Sequence, residues 1–280
     1  MSSIQTVLVD TVAKLLTVSD SPALDAEVLL CHAINQTRTH LRAWPDKMLS
    51  ADQLACYQTL IQQRELGVPV AYLTGQKEFW SRPFQVSRDV LIPRPDTELL
   101  IEICLDLINK HALTSAIDLG TGSGIIAITL AAECPQISMT ATDFSASALA
   151  MAKQNAQNNA VHTIQFMESN WLKEIAPKKF DLIISNPPYI AEDDLHLQQG
   201  DVRFEPKTAL IAGQQGLSDI TAIADQARQC LNSAGHLVIE HGYNQQQPVQ
   251  AIFQQFGYVN VITYPDLAGN PRVTCGQWPE

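Results

Sequence analysis

Ala116-Ile117-Asp118-Leu119-Gly120-Thr121-Gly122-Ser123-Gly124 decides the fold. Its first four residues read as a short buried strand, and its glycines, at every second position, read as a turn. Ile125 to Ala132 then reads as the helix this turn opens. Strand, glycine turn and helix in that order begin a βα unit, which leads to a parallel sheet. Glycine lets the backbone approach a ligand closely, and a helix amino terminus favours a negative group. The spacing is G-x-G-x-G, with Ile125 three positions past Gly122, so the dinucleotide fingerprint G-x-G-x-x-G does not hold.

The alternation continues downstream, as in a doubly wound α/β sheet. Ile137 to Thr142 reads as a second strand ending in Asp143, about twenty residues past the glycines, where an acid accepts hydrogen bonds from ribose hydroxyls. Asp143 or Ser145 could also cap the next helix, Ala146 to Asn158. Thr163 to Met167 is a third strand, leading to Ser169-Asn170-Trp171. A side chain there could bond an adenine edge, and Trp171 could pack on the ring or simply in the core. Phe180 to Ile184 is the fourth strand. Further strands fall at Gly235 to Glu240, Tyr258 to Thr263 and Arg272 to Gly276, with helices over Ser218 to Leu231 and Pro248 to Phe256.

The fourth strand delivers Asn186-Pro187-Pro188-Tyr189 to the carboxyl end of the sheet, where open α/β sheets bind ligands. Each proline lacks an N–H and pushes the residue before it towards extended geometry. Asn186 and Pro187 therefore present carbonyls that no neighbouring proline N–H can engage, and Asn186 adds an amide oxygen. Such a cluster of acceptors could grip both hydrogens of a planar –NH2 group, with the Tyr189 ring packed on its face. Two accepted hydrogen bonds would orient a weakly nucleophilic nitrogen and stabilise the positive charge that grows as it attacks a methyl donor. The bland alternative is a Pro-Pro turn after a strand.

Composition narrows the classes. The chain has 280 residues, 46% of them hydrophobic, enough for an α/β domain and a smaller one beside it. A net charge of −11 disfavours tight binding to a phosphate backbone. The six cysteines, Cys31, Cys56, Cys104, Cys134, Cys230 and Cys275, show no C-x-x-C pair and no zinc spacing. They read as free thiols of a reducing compartment. No signal-peptide core and no long apolar span is present, so a cytoplasmic chain off the membrane is expected.

Residues 1–75 read as a small helical bundle. Val7, Leu8, Val12, Leu15 and Leu16 form one stripe, and Asp20-Ser21-Pro22 starts a helix carrying Ala26, Leu29, Leu30 and Ile34. Leu54, Tyr57, Leu60 and Ile61 form a further stripe, ended by Gly67 and Pro69. The bundle is either a folding appendage or a substrate-docking domain, and docking is the reading taken here. Residues 76–95 read as a hairpin linker, with Ser81-Arg82-Pro83 between its arms, and residues 96–280 as the catalytic domain. Asp96 or Thr97 can cap the helix that follows, and capping accounts for Asp96, Thr97 and Glu98 without any function. Arg94 stands between two prolines, and a rigidly mounted arginine suggests a target. The acids and Arg203 of the 191–216 loop read as solvated, with a possible part in shaping an entrance.

Taken together, Asp118 to Gly124, Asp143 and Asn186 to Tyr189 resemble a class I S-adenosylmethionine-dependent methyltransferase, a Rossmann-like fold. The whole chain resembles the HemK/PrmC family, which methylates the side-chain nitrogen (N5) of a glutamine in peptide chain release factors. The stretches Ile92 to Glu98, Arg203 to Pro206, Glu240 to Gly242 and Asn270 to Gly276 share in it. The resemblance implies a small helical amino-terminal domain, a hairpin linker and S-adenosylmethionine as cofactor. It implies cofactor contacts from Gly120, Thr121, Gly122, Ser123, Gly124, Asp143, Trp171 and Asn186. Asn186, Pro187, Pro188 and Tyr189 would hold the glutamine amide, with Asn186, Pro187 and Tyr189 catalytic. No metal is implied, and a monomer with a release factor as protein partner is expected. The family usually has Asp before the tryptophan; this chain has Asn170, to which no cofactor role is carried. The rivals are an adenine or cytosine amino-methyltransferase acting on DNA or RNA, and a non-enzymatic cofactor-binding or scaffold protein.

Overall fold

A computed structural model describes residues 2–175 and 177–279. The chain divides into two compact units, Met1–Gln76 with Gln198–Phe204, and Lys77–Leu197 with Glu205–Glu280.

The first unit is helical: α1 (Ile4–Leu15), α2 (Pro22–Ile34), α3 (Arg38–Ala43), α4 (Ala51–Glu65) and α5 (Val70–Thr74). Local chemistry sets the helix starts. Ser3 and Thr37 cap α1 and α3, Pro22 opens α2, and Ser50 with Gln53 forms a capping box on α4. The apolar stripes meet in one core that includes Ile4, Leu15, Leu29, Leu30, Tyr57 and Ile61. Asp25 and Arg64 are buried together, with Arg64 Nε donating to Asp25 Oδ2 at 2.8 Å. Gln198–Phe204 packs with this unit although helical periodicity does not mark it: Arg203 Nη2 donates to the Leu66 carbonyl at 3.3 Å, and Asp201 lies 3.9 Å from Arg64.

The second unit begins with a hairpin, β1 (Gln76–Phe79) and β2 (Arg82–Gln85). Its turn is Trp80-Ser81, one residue earlier than expected, with φ of 52° and 56°. Positive φ at both central residues matches the twist of a two-residue hairpin, and the Glu98 carboxylate holds it by accepting from Trp80 N–H. Apart from Gln76, this hairpin belongs to the second unit.

There follow α6 (Thr97–His111), β3 (Ser115–Leu119), α7 (Ile125–Glu133), β4 (Ser138–Asp143), α8 (Ala146–Asn158), β5 (Gln165–Glu168) and β6 (Phe180–Ser185). After the loop come α9 (Gly213–Gly216), α10 (Ser218–Cys230), β7 (Leu231–Glu240), α11 (Gln246–Gln255), β8 (Val259–Pro265) and β9 (Pro271–Gln277). The seven-stranded sheet runs β5-β4-β3-β6-β7-β9-β8. The first five strands are parallel, and β9 pairs antiparallel with both β7 and β8. Side chains alternate between two buried faces: Leu182 and Ile184 join Phe84, Ile101 and Ile128 on one side, whereas Ile183 joins Ile220, Ala224 and Phe253 on the other. Each fully buried Leu or Ile contributes about 2 kcal/mol by leaving water.

Asp181 anchors the amino ends of three strands. Its carboxylate accepts from the N–H and hydroxyl of Thr114 and of Ser115, and from Asn232. Partial burial acts to raise its pKa, but these bonds outweigh it and bring it to about 2. At the opposite end the strand order reverses between β3 and β6, which opens a crevice above their carboxyl ends. Among the described residues, no helix is long and apolar enough to cross a membrane, and all six cysteines are free thiols.

Candidate active site

A cavity of about 380 Å³ lies at this crevice. Gly120, Thr121, Gly122 and Ser123 line it from the turn after β3, Asp143 from the end of β4, Asn170 and Trp171 from the loop after β5, and Asn186 and Pro188 from the loop after β6. Four successive strand ends therefore meet at one space.

The turn is built around buried carboxylates. Asp118 is fully buried and its Oδ2 accepts from the Thr121 hydroxyl at 2.6 Å. Burial raises its carboxyl to about 7, against the Thr121 hydroxyl and the Ala127 N–H. Asp143 Oδ2 accepts from Gly122 N–H and Oδ1 from Ser145 N–H, both at 2.9 Å. Burial raises the Asp143 pKa while these backbone bonds lower it. A carboxylate has about four acceptor positions, so these bonds do not exhaust its capacity for a ligand. Helix α8 is capped by Ser145, whose hydroxyl accepts from Ala148 N–H.

Gly124 does not line the cavity; it stands at the start of α7 with φ of 87°, and a Cβ there would lie 3.1 Å from Ala152 Cβ on α8. Its requirement is close helix packing. Trp171 stands at the boundary between cavity and core. It lines the cavity and also packs against the core, and its side chain hydrogen-bonds Asp219, a further carboxylate on the cavity wall. Asn170 lines the cavity as well, and its N–H donates to Glu174.

Asn186 Nδ2 donates to Thr97 Oγ1 at 3.2 Å, which leaves Oδ1 as an acceptor for the cavity. Pro187 is buried and does not line the cavity. Tyr189 is off the wall too, with its hydroxyl 3.5 Å from Glu240 Oε1 and its carbonyl accepting from Gln245 at 3.0 Å. Gly216, with φ of 84°, lies so close to that carbonyl that any Cβ would overlap it.

Capping does not account for Thr97. Asp96 is the N-cap of α6, its side chain makes no capping bond, and Thr97 is buried against Asn186. Arg94 finds its target in Glu205, whose side chain is fully buried rather than solvated. The loop that carries Glu205 is closed at its base by Ile190, whose N–H donates to Leu210 and whose carbonyl accepts from Ala212.

Three participants escaped the sequence reading. Phe144, exposed beside Asp143, lines the cavity; an aromatic directly after a strand-end acid is a signal that could have marked it. Asp219 sits in the first turn of α10, where an acid reads as ordinary helix chemistry. Asn155 lies in mid-helix, fully buried, and ties the Ser123 carbonyl to both backbone groups of Gln85. Nothing in its sequence setting marks it.

Comparison with known proteins agrees with this architecture. The Methyltransferase small domain model matches residues 95–202 and the PrmC N-terminal domain model residues 7–75. A release factor glutamine methyltransferase of Vibrio cholerae is 49% identical over 263 residues, covering 93% of this chain and 91% of that protein. The enzyme of that name from Aliivibrio fischeri is 46% identical over 261 residues, covering 93% and 92%. The chain belongs to the release factor glutamine methyltransferase family. Among solved structures, the 16S rRNA N2 G1207 methyltransferase of Thermus thermophilus, in complex with AdoMet and guanosine, superposes with a TM-score of 0.52 at 13% identity. It covers 72% of this chain and 49% of that one, a likeness of fold alone.

Proposed function

We propose that the chain transfers a methyl group from S-adenosylmethionine to the N5 side-chain nitrogen of a glutamine in a peptide chain release factor. The observation that carries this reading is the Asn186 amide. Its Nδ2 is committed to Thr97, which leaves its Oδ1 as an acceptor on the wall of a cavity that also holds the glycine turn and Asp143.

The residues present fit the cofactor. Asp143 retains acceptor positions for ribose hydroxyls, and its carboxylate is itself fixed by two backbone N–H groups. Phe144 and Trp171 offer aromatic faces to the adenine, and Asn170 a hydrogen-bonding edge. Gly120 to Ser123 cradle the remainder at close backbone approach. When bound, S-adenosylmethionine supplies an electrophilic sulfonium methyl.

Asn186 Oδ1 would accept one hydrogen of the glutamine amide, and a main-chain carbonyl of the Asn186-Pro187 pair the other. That grip fixes the plane of the nitrogen, and both acceptors stabilise the charge it develops during attack. Pro187 and Pro188 hold the acceptors rigid, and Tyr189 supports this stretch from below through Glu240 and Gln245. Positioning supplies much of the rate, as for any two reactants held in line. The nitrogen becomes acidic as it gains the methyl, so its proton leaves late and no strong base is needed.

The helical unit would supply recognition of the release factor, because one amide grip cannot distinguish one glutamine from another. The reaction belongs to the cytoplasm. Transfer of labelled methyl to a release factor, with duplex DNA and RNA as rival acceptors, tests the reading. Label on the protein supports it, and label on nucleic acid alone removes it.

A further inference from the structure

Behind Asn186 stands a buried group that the reaction as described does not use. Glu240, at the end of β7, is 1% exposed, and its Oε2 has no hydrogen-bond partner among the described residues. The Thr97 hydroxyl, Tyr189, Arg272 and Asp96 face it, from the start of α6, the loop after β6 and strand β9. Its neighbour His241 turns elsewhere, towards the Gly242 carbonyl and Thr274.

A threonine hydroxyl carries one hydrogen. The unpartnered Glu240 Oε2 is an acceptor for that hydrogen, and once Thr97 directs it there only lone pairs face Asn186. Asn186 must then turn its Nδ2 to Thr97, as observed at 3.2 Å, and its Oδ1 to the cavity. With the hydrogen reversed, the opposite flip of Asn186 would be favoured. The grip would then present a donor to a substrate amide that needs acceptors.

We infer that Thr97 and Glu240 are positioning residues that set the flip of the Asn186 amide, and so make it an acceptor for the glutamine nitrogen. This rests on the reading of Asn186 given above. Burial raises the Glu240 carboxyl to about 7, opposed by the Thr97 hydroxyl and Arg272, reinforced by Asp96 and opposed by Tyr189. Protonated Glu240 becomes a donor and no longer dictates the direction of the Thr97 hydrogen. Activity should therefore rise with pH through the neutral range.

The test compares Thr97→Val, Thr97→Ser, Glu240→Gln and Asn186→Ala in the full chain. Methyl transfer to a release factor is measured at saturating cofactor, and cofactor affinity by calorimetry. Thr97→Val should lower kcat on the order of tenfold or more with cofactor affinity kept, and Thr97→Ser should restore it. Glu240→Gln should lower kcat and flatten the neutral limb of the pH profile. Wild-type kcat in Thr97→Val, equal losses in Val and Ser, or an unchanged limb in Glu240→Gln would each overturn the inference. Asn186→Ala separates the two levels: if it keeps wild-type turnover, the acceptor grip itself fails and this inference with it. If Asn186→Ala is impaired and Thr97→Val is not, only the positioning role fails.

Discussion

Asn155→Ala removes three hydrogen bonds made by one fully buried side chain. Oδ1 accepts from Gln85 N–H at 2.7 Å, and Nδ2 donates to the carbonyls of Gln85 at 2.9 Å and Ser123 at 2.8 Å. The two bonds to Gln85 are partly buried, so water can replace the amide and each contributes about 0.5–1 kcal/mol. The bond to the Ser123 carbonyl is buried, and stranding that oxygen costs about 1–3 kcal/mol. Alanine returns about 0.6 kcal/mol as the better helix former within α8. The second unit should therefore lose about 3 kcal/mol. In a Trp44→Phe background the remaining tryptophans, Trp80, Trp171 and Trp278, all lie in that unit. Their fluorescence during urea unfolding should show a lower midpoint with an unchanged slope. The same change frees Ser123 in the glycine turn, so cofactor affinity should fall on the order of tenfold. A stability loss under about 0.5 kcal/mol, the level of an ordinary surface change, together with unchanged affinity would refute this reasoning.

Other expectations follow from the same geometry. Asp143→Ala should bind S-adenosylmethionine much more weakly in calorimetry with the fold intact, since it removes the ribose acceptor and the bond that fixes Gly122; unchanged affinity would end the ribose assignment. His236 is held in its neutral form, its pKa pushed from 6.5 to about 4 by burial and then by His111 and Lys110. The unfolded chain thus binds the extra proton first, and stability should fall as pH drops from about 6.5 towards 4. His236→Gln should lessen that dependence in pH-resolved unfolding, and an identical profile would exclude the histidine as its source. Removing residues 1–76 also strips Gln198–Phe204 of the Arg64 and Leu66 contacts. The shortened chain should still bind cofactor but methylate the intact release factor far more slowly, with a smaller loss on a short glutamine peptide; equal losses would remove the docking role.

Local patterns explain what was legible before the structure. The apolar runs at Ala116 to Leu119 and Phe180 to Ile184 are buried in the sheet, so their composition alone marked parallel strands, and their carboxyl ends pointed to the candidate site. Asn186 and Asp143 were visible because strand ends carry chemistry. What stayed hidden depends on contacts distant in sequence. Thr97 looked like helix-cap chemistry because its partner lies 89 residues away, and Glu205 looked solvated because Arg94 lies 111 residues away. Gly124 belongs to the visible glycine pattern yet meets helix packing rather than the cavity, since spacing cannot separate the two uses. Gln198–Phe204 carries polar residues and no helical stripe, so its membership in the helical unit had no periodic signature.

The central claim is that the Asn186 grip holds a glutamine amide for methyl transfer. The most direct measurement incubates the wild-type chain and Asn186→Ala with an intact release factor and labelled S-adenosylmethionine, and locates the label by mass spectrometry. The account predicts a methyl on the side-chain nitrogen of one glutamine, with turnover lower by on the order of a hundredfold or more in the variant at saturating cofactor. A methyl on any other atom, or equal turnover in both proteins, would contradict it.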